Sequence, residues 1–523
     1  MKLTISLTGS TGNMGRCALY EAVKLDCVEK IKILVSHKNK RIKKILKNID
    51  KKYLPKVQIV EGRMEDKQSM IEFVKDSTLI FNLASVIPPR SDKYPEQAYK
   101  CNVEGVQNLV NCIEEIKENQ PKLIQISTVA VYGNRTHHHP FAQIGDPLLF
   151  SPLDIYSLTK ARGEYIVLES DIKYKTIIRQ TAMVHKNLLM DNISDGLMFH
   201  TAFNCPLEWV SAEDSGKLIA AIIEQEYEGK LNESNFYNQM FNLGGGKKNQ
   251  ITGYDTLNLG FNIIGGTAKD YFKPNYNAIR NFHGTWFSDS LKLDNMFHYI
   301  HDDYASYFKA IGDSHFYFKL ARIIPRSLIS GLVIKPLLKD ANSPARWVKD
   351  NNEAKIKATY YDLETYNKLG TDWNKFNLFV EGKDYFGNDL DFEKLKNSEE
   401  TTKLNYYYDN DKPLSEITIE DLKNVARAHG GDLLEETFTT GDVYRKVKWI
   451  NQDNEIFYAR PFTVLKGGHW WNISYRKLAW DFNRLAKKDK IYAQLWYLDH
   501  KKDENVKYYL DVNDGYKAKL IKF

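Results

Sequence analysis

The chain predicts an α/β fold built on a doubly wound parallel sheet. Short apolar runs alternate with helical patterns through the first half. The runs are nearly continuous in Ile, Leu and Val, as strands buried on both faces must be. A glycine trio, Gly9, Gly12 and Gly15, stands where the first run gives way to the first helical pattern.

Residues 3–8 read as the first strand and residues 14–25 as the helix after it. Further strands are expected at 31–36, 57–60, 78–83, 123–128 and 176–180, with the clearest helices at 95–116 and 153–169. Right-handed crossovers would assemble these strands into one sheet. With 523 residues the chain is too long for one core. We expect a sheet domain with substrate-binding elements over 1–250, an extension of the substrate-binding part over 251–400 and a small α+β accessory domain over 401–523. The extension is rich in Asn, Asp, Lys and Tyr. Its one apolar segment, 323–338, reads as one or two packed helices, with membrane-surface contact as the alternative. The last part holds Trp449, Trp470, Trp471, Trp480 and Trp496.

A hydrophobic share of 43%, a charged share of 27% and a net charge of +6 are ordinary for a globular protein and argue against nucleic-acid binding. The first strand starts at the amino terminus, so no leader is expected, and no apolar run reaches the ~18 residues of a membrane span. Five cysteines, none after Cys205, favour a reducing cytoplasm over a disulfide framework. No metal site is expected. In His137-His138-His139, consecutive side chains converge poorly on one ion, so a surface loop near the substrate mouth is the better reading.

The glycines carry the first chemistry. Gly9 allows a tight turn, Gly12 a close backbone approach and Gly15 close packing of helix on strand. Thr11, Asn13 and Met14 complete a loop that offers helix N–H groups to a dinucleotide pyrophosphate. NAD-binding sheets place a carboxylate at the end of the second strand. Here that position is Ser36, followed by Lys38 and Arg41, with Arg16 directly after Gly15. Cations suit the 2′-phosphate of NADP, so NADP is expected in preference to NAD; a solvated basic helix face is the plainer alternative.

Tyr156 and Lys160 are four residues apart and share a helix face. An ammonium beside a phenol should lower the phenol's pKa and let it exchange a proton with a substrate oxygen. Thr128, at the end of a strand, can bond the same oxygen. Sheets of this kind bind ligands at that edge.

On the glycine motif, Asn82-Leu83-Ala84-Ser85, Asn102-Val103, Ser127 to Gly133, Tyr156 with Lys160, Arg179-Gln180-Thr181, Trp209 to Asp214 and Phe241 to Gly246, residues 1–250 resemble the extended short-chain dehydrogenase/reductase family. That family includes sugar-nucleotide epimerases, dehydratases and 3β-hydroxysteroid dehydrogenases. The resemblance implies a Rossmann-type domain and hydride transfer with Thr128, Tyr156 and Lys160 at the reacting centre. It implies cofactor contacts from Leu83, Ala84, Ser85, Asn102, Tyr156 and Lys160 and a small-molecule substrate; a homodimer is one open arrangement. Oxidation or reduction of a secondary alcohol or ketone is the first reading and epimerisation the second. A non-catalytic NADP(H) sensor is the third, disfavoured because all three reacting residues are present. Val129 and Ala130 stand where dehydratases carry Asp-Glu, which disfavours dehydration. Gly62-Arg63 replaces the usual Gly-Asp after the third strand, and Met183 to Lys186 replaces a Val-Tyr-Gly-Pro turn. Lys446 to Trp471 resembles a zinc-ribbon-type repeat without its cysteines.

Overall fold

The computed structural model describes residues 2–37, 40–151, 154–192, 196–233, 235–280, 283–314, 316–385, 387–470 and 482–504. Seven parallel strands form the main sheet: β1 (Leu3–Leu7), β2 (Val28–Val35), β3 (Val57–Glu61), β4 (Leu79–Asn82), β5 (Lys122–Thr128), β6 (Lys175–Gln180) and β7 (Gln239–Leu243). Their spatial order is β3-β2-β1-β4-β5-β6-β7. The winding reverses between β1 and β4, where a crevice opens at the carboxyl ends of the strands. The expected doubly wound, Rossmann-type sheet is therefore present. Its apolar runs are buried, with Ile5, Leu7, Ile31, Ile33, Ile80, Phe81 and Ile124 fully enclosed.

Four helices position the site: α1 (Asn13–Ala22), α2 (Gly105–Glu114), α3 (Ile155–Leu168) and α4 (Ala212–Tyr227). α1 and α4 touch backbone to backbone, because a Cβ on Gly216 would lie 2.7 Å from Cys17. The helix expected over 95–116 is broken into a short helix, Pro95–Tyr99, a widened turn, Lys100–Glu104, and α2. The widened turn lets Asn102 face inward, with 2% of its surface exposed.

Residues of 404–470 and 485–496 build one hydrophobic cluster together with the flank of the main sheet. Trp449, Trp470 and Trp496 pack in the same cluster as Phe73, Leu109 and Val167. A three-stranded antiparallel sheet, Asp432–Leu433, Val447–Ile450 and Ile456–Ala459, lies within this part. The apolar segment 323–338 is helical from Arg326 to Leu337, with a widened turn at Ser330–Ile334, and packs one face as expected: Ile334 is buried, and Ile329, Val333, Leu337 and Leu338 lie on the cluster around Phe199 and Phe272. Its other face is open, with Ile323 81% and Leu332 69% exposed. Among the described residues no helix is long and apolar enough to cross a membrane.

Candidate functional site

The turn after β1 is built for close approach. Gly9 has φ +66°, and a Cβ there would lie 2.7 Å from the Leu83 carbonyl and the Ala84 nitrogen. A Cβ on Gly15 would collide with the Gly9 backbone. The Gly12 nitrogen donates to the Gly9 carbonyl at 2.8 Å, which closes the turn, and Thr11, Asn13 and Met14 complete it. Helix α1 starts at Asn13 with Gly12 as its cap and no side chain on its first N–H groups. Those groups and the helix dipole favour an anion. Ser10 is fully buried, and its hydroxyl finds no hydrogen-bond partner among the described residues. A glycine cradle, an uncapped helix start and an orphaned hydroxyl fit a dinucleotide phosphate.

The next strand end is organised from below. Thr8 Oγ1 donates to Asn82 Oδ1 at 2.6 Å and accepts from the Leu83 and Ala84 nitrogens at 3.0 Å. Asn102 accepts from Ser85 Oγ at 3.1 Å and from the Val86 nitrogen at 2.9 Å, and its amide donates to Thr159 Oγ1 at 3.0 Å. Asn102 thus ties the Ser85 loop to helix α3 rather than presenting its amide to the crevice. At the other end, Ser36 closes β2 and its hydroxyl pairs with His37 Nδ1 at 3.2 Å. Arg16 NH2 donates to Asn13 Oδ1 at 3.3 Å, beside the phosphate turn. Arg41 lies in the exposed basic helix Lys40–Lys47, and Lys38 falls outside the described residues.

Thr128, Tyr156 and Lys160 come together on one wall of a chamber of about 1020 Å³. Thr128 ends β5. Asp154 caps α3 by accepting from the Tyr156 nitrogen at 3.0 Å, which fixes the first turn and aims the phenol. Tyr156, Thr128 and Ser85 line the same chamber, and the two hydroxyls are near enough to draw the phenol's pKa down. Lys160 is 5% exposed and donates from Nζ to the Ile126 carbonyl at 2.6 Å. Burial pulls its ammonium down to about 8.

The phenol departs from expectation. Burial pushes Tyr156 up to about 12, against the pull of the two hydroxyls. Lys160 turns its charge to the Ile126 carbonyl, so loss of water decides the direction. A phenol held neutral is a proton donor. Ser85 as a partner of the phenol, Asp154 as its aiming residue and Trp209 as a chamber wall carry no local pattern that would have marked these roles.

Two further expectations are corrected. The His137-His138-His139 loop does not border the chamber. His139 is buried, with Nδ1 at 3.0 Å from the Phe141 carbonyl, and His137 packs on Phe379. The zinc-ribbon resemblance is not supported either. Gly467 and His469 dock on helix α3, where His469 Nε2 meets Glu164 Oε1 at 2.9 Å. Among the described residues no three His, Cys, Asp or Glu side chains converge on one point.

Two curated relatives from Dictyostelium discoideum, named "Probable polyketide synthase 9/36" and "Probable polyketide synthase 6", are each 23% identical over 190 residues, which is 32% of this chain. The chain spans only 6% of their length. Among solved structures, the dTDP-glucose 4,6-dehydratase from Bacillus anthracis in complex with NAD is 17% identical, with a TM-score of 0.46 over 60% of this chain and 96% of that one. The UDP-glucuronic acid 4-epimerase from Bacillus cereus, in complex with UDP-glucuronic acid and NAD, is 19% identical, with a TM-score of 0.46 over 61% and 99% of the two chains. Residues 5–185, which carry the phosphate turn, Thr128, Tyr156 and Lys160, match the NAD dependent epimerase/dehydratase family.

Proposed function

We propose that the chain is an NAD(P)-dependent oxidoreductase of the extended short-chain dehydrogenase type, acting between a secondary alcohol and a ketone. The observation that carries this reading is that Thr128, Ser85, Tyr156 and Lys160 all line one chamber, with Tyr156 and Lys160 one helical turn apart on α3. The Gly9 to Gly15 turn and the start of α1 would hold the pyrophosphate, and Lys160 the nicotinamide ribose. When bound, the nicotinamide supplies or takes the hydride.

The chain's own residues handle the proton. Tyr156, neutral at working pH, donates its hydroxyl proton to the carbonyl oxygen of a bound ketone. Thr128 Oγ1 steadies the same oxygen. Lys160, one helical turn from Tyr156 and charged up to about pH 8, would turn to the phenolate as it forms. A phenol held neutral favours the reductive direction. Val129 and Ala130, buried beside Thr128, bear no group that could drive an elimination.

Epimerisation is the second reading, favoured by the family match over residues 5–185. It uses the same three side chains but regenerates its cofactor within each turnover. The test is a screen of NADPH and NADH oxidation against ketones, and of NADP and NAD reduction against alcohols. Stoichiometric cofactor turnover supports the oxidoreductase. Isomerised product without net cofactor change transfers the assignment to epimerisation.

A further inference from the structure

The chamber continues well past the reacting centre. It begins at Asn13, Met14 and Leu83, passes Thr128, Tyr156 and Lys160, and runs on between Trp209, Phe261, Phe308, Phe318, Ile324 and Val333. Its volume of about 1020 Å³ exceeds what a nicotinamide and a small ketone need; ligand pockets span ~300–1,000 Å³. Among the described lining residues the Lys and Arg side chains are Lys160, held on the Ile126 carbonyl, and Lys355, near Trp347. Arg179 is turned away from it and closed in an ion pair with Glu164. A nucleotide diphosphate needs several donors and cations, and these walls offer mostly hydrocarbon and aromatic faces.

Resting on the oxidoreductase reading, we propose that the reacting alcohol or ketone is carried by an apolar, lipid-class molecule with a long hydrocarbon body. Its oxygen meets Tyr156 and Thr128, and its body fills the chamber toward Phe261 and Val333. Burying one methylene multiplies affinity by ~4. Reduction of a ketone takes a hydride onto carbon from the nicotinamide and a proton onto oxygen from Tyr156, leaving the secondary alcohol and the oxidised nicotinamide.

The test is binding and turnover of a 2-alkanone series from six to fourteen carbons, with UDP-glucose as the polar comparison. Binding should tighten by ~3–4-fold per methylene until the chamber is full, with UDP-glucose not competing. Ile324 lines the chamber yet is 41% exposed, so Ile324→Glu should fold and weaken 2-dodecanone binding by tenfold or more. No gain along the series, or displacement of 2-dodecanone by UDP-glucose, overturns the substrate class. Length-dependent binding without turnover on either cofactor overturns the redox reading and supports the apolar ligand.

A different observation stands on the outer side of the same wall. Phe316, Leu320, Ile323, Leu328 and Leu332 are 74%, 51%, 81%, 49% and 69% exposed. The stretch from Phe316 to Lys339 contains no Asp or Glu, and Arg322, Arg326, Lys335 and Lys339 lie exposed along it. Arg326 is paired with Asp270, and Arg322 Nε donates to the Ile263 carbonyl at 3.0 Å. An apolar face with cations at its rim is complementary to an anionic lipid surface. Phe318 and Ile324 of this segment also line the chamber, so the surface is continuous with the apolar ligand's space. We infer that this face docks on an anionic bilayer.

Co-sedimentation with phosphatidylcholine vesicles containing ~30% phosphatidylserine should capture the full chain, and high salt should weaken capture. The double variant Ile323→Glu, Leu332→Glu should lose binding by tenfold or more while keeping its circular dichroism and cofactor affinity. Wild-type protein that stays in the supernatant, or a double variant that sediments equally, overturns the docking. So does a dimer abolished by the double variant without any vesicle binding, which would assign the face to a second copy.

Discussion

His469 Nε2 lies 2.9 Å from Glu164 Oε1, across 305 residues of sequence. Glu164 sits one helical turn beyond Lys160 on α3, and its carboxylate also receives the Arg179 guanidinium at 2.6 and 3.2 Å. Arg179 donates onward to the Gly467 carbonyl and to the Tyr132 hydroxyl. All three charged or titratable side chains are at most 1% exposed. The carboxyl-terminal part is therefore keyed into the back of the helix that carries Tyr156 and Lys160.

Removing one partner of a buried ion pair leaves an uncompensated charge, which costs ~3–5 kcal/mol. Glu164→Gln should therefore destabilise the chain by about that amount, because Arg179 stays charged. His469→Ala removes one hydrogen bond and should cost ~1–3 kcal/mol. Thermal melts should rank wild type above His469→Ala and His469→Ala above Glu164→Gln. A Glu164→Gln protein that melts with the wild type would show the pair to be dispensable.

Stability should fall in mild acid. Burial holds His137 down at about 4 and His139 at about 3, and also lowers His185, His469 and His500. Below about pH 6.5 the unfolded chain takes up protons that the folded chain refuses, so folding loses free energy as pH falls. Glu208, pushed up to about 7 by burial, acts in the opposite direction, as do Asp146, Asp154 and Asp289, which burial also pushes up. The melting temperature should already fall from pH 8 to 7, where burial holds Lys160, Lys466 and Lys175 down at about 8, 8 and 7 while the unfolded chain keeps all three protonated, and it should drop further between 6.5 and 5. His139→Gln, which keeps a donor for the Phe141 carbonyl, should drop less steeply than wild type.

The sheet was legible because each strand is a short apolar run beside a turn, a pattern that burial on both faces dictates. β7 escaped that reading because Gln239 and Asn242 interrupt it. Asn242 is polar for a reason visible only in three dimensions: it accepts from the Tyr132 hydroxyl and donates to Asp289. That Thr128, Tyr156 and Lys160 line one crevice was legible from strand end and helix spacing. The direction of the phenol's shift was not, because spacing reports proximity and not burial. The docking of His469 on Glu164 has no local signature at all. The packed helix in the segment 323–338 was legible from its apolar run, but its open face was not, because apolar composition alone does not say which side is covered.

The cofactor preference follows from the end of β2. Ser36 stands where a carboxylate would repel a 2′-phosphate, with Arg16 and Arg41 on the neighbouring helices. NADP(H) should bind more tightly than NAD(H). Arg16→Ala should cost ~1.5–3 kcal/mol of NADP affinity, a charge-assisted contact, with little effect on NAD. Fluorescence titration of all four nucleotides decides it. Equal or tighter NAD(H) binding by the wild type would remove the preference.

Tyr156→Phe keeps the ring, so packing and cofactor binding should survive while the proton donor is lost. Turnover should fall by ~10²–10⁴ or more. Thr128→Ala loses one hydrogen bond to the reacting oxygen and should fall less. Lys160→Met should lower turnover and raise the cofactor dissociation constant together, because in the proposed mechanism one ammonium serves both the phenol and the ribose. Lys160 loses its proton near pH 8, whereas Tyr156 stays protonated to about 12. Reduction should therefore decline above pH 8 in the wild type, and that decline should vanish in Lys160→Met. The measurement is steady-state reduction of one accepted ketone by the wild type and all three variants from pH 6 to 10, with cofactor titration at each pH. Near-normal turnover in Tyr156→Phe would place the proton donor elsewhere in the chamber, where Asp154 and His283, 4.0 Å apart, would be the next groups to remove.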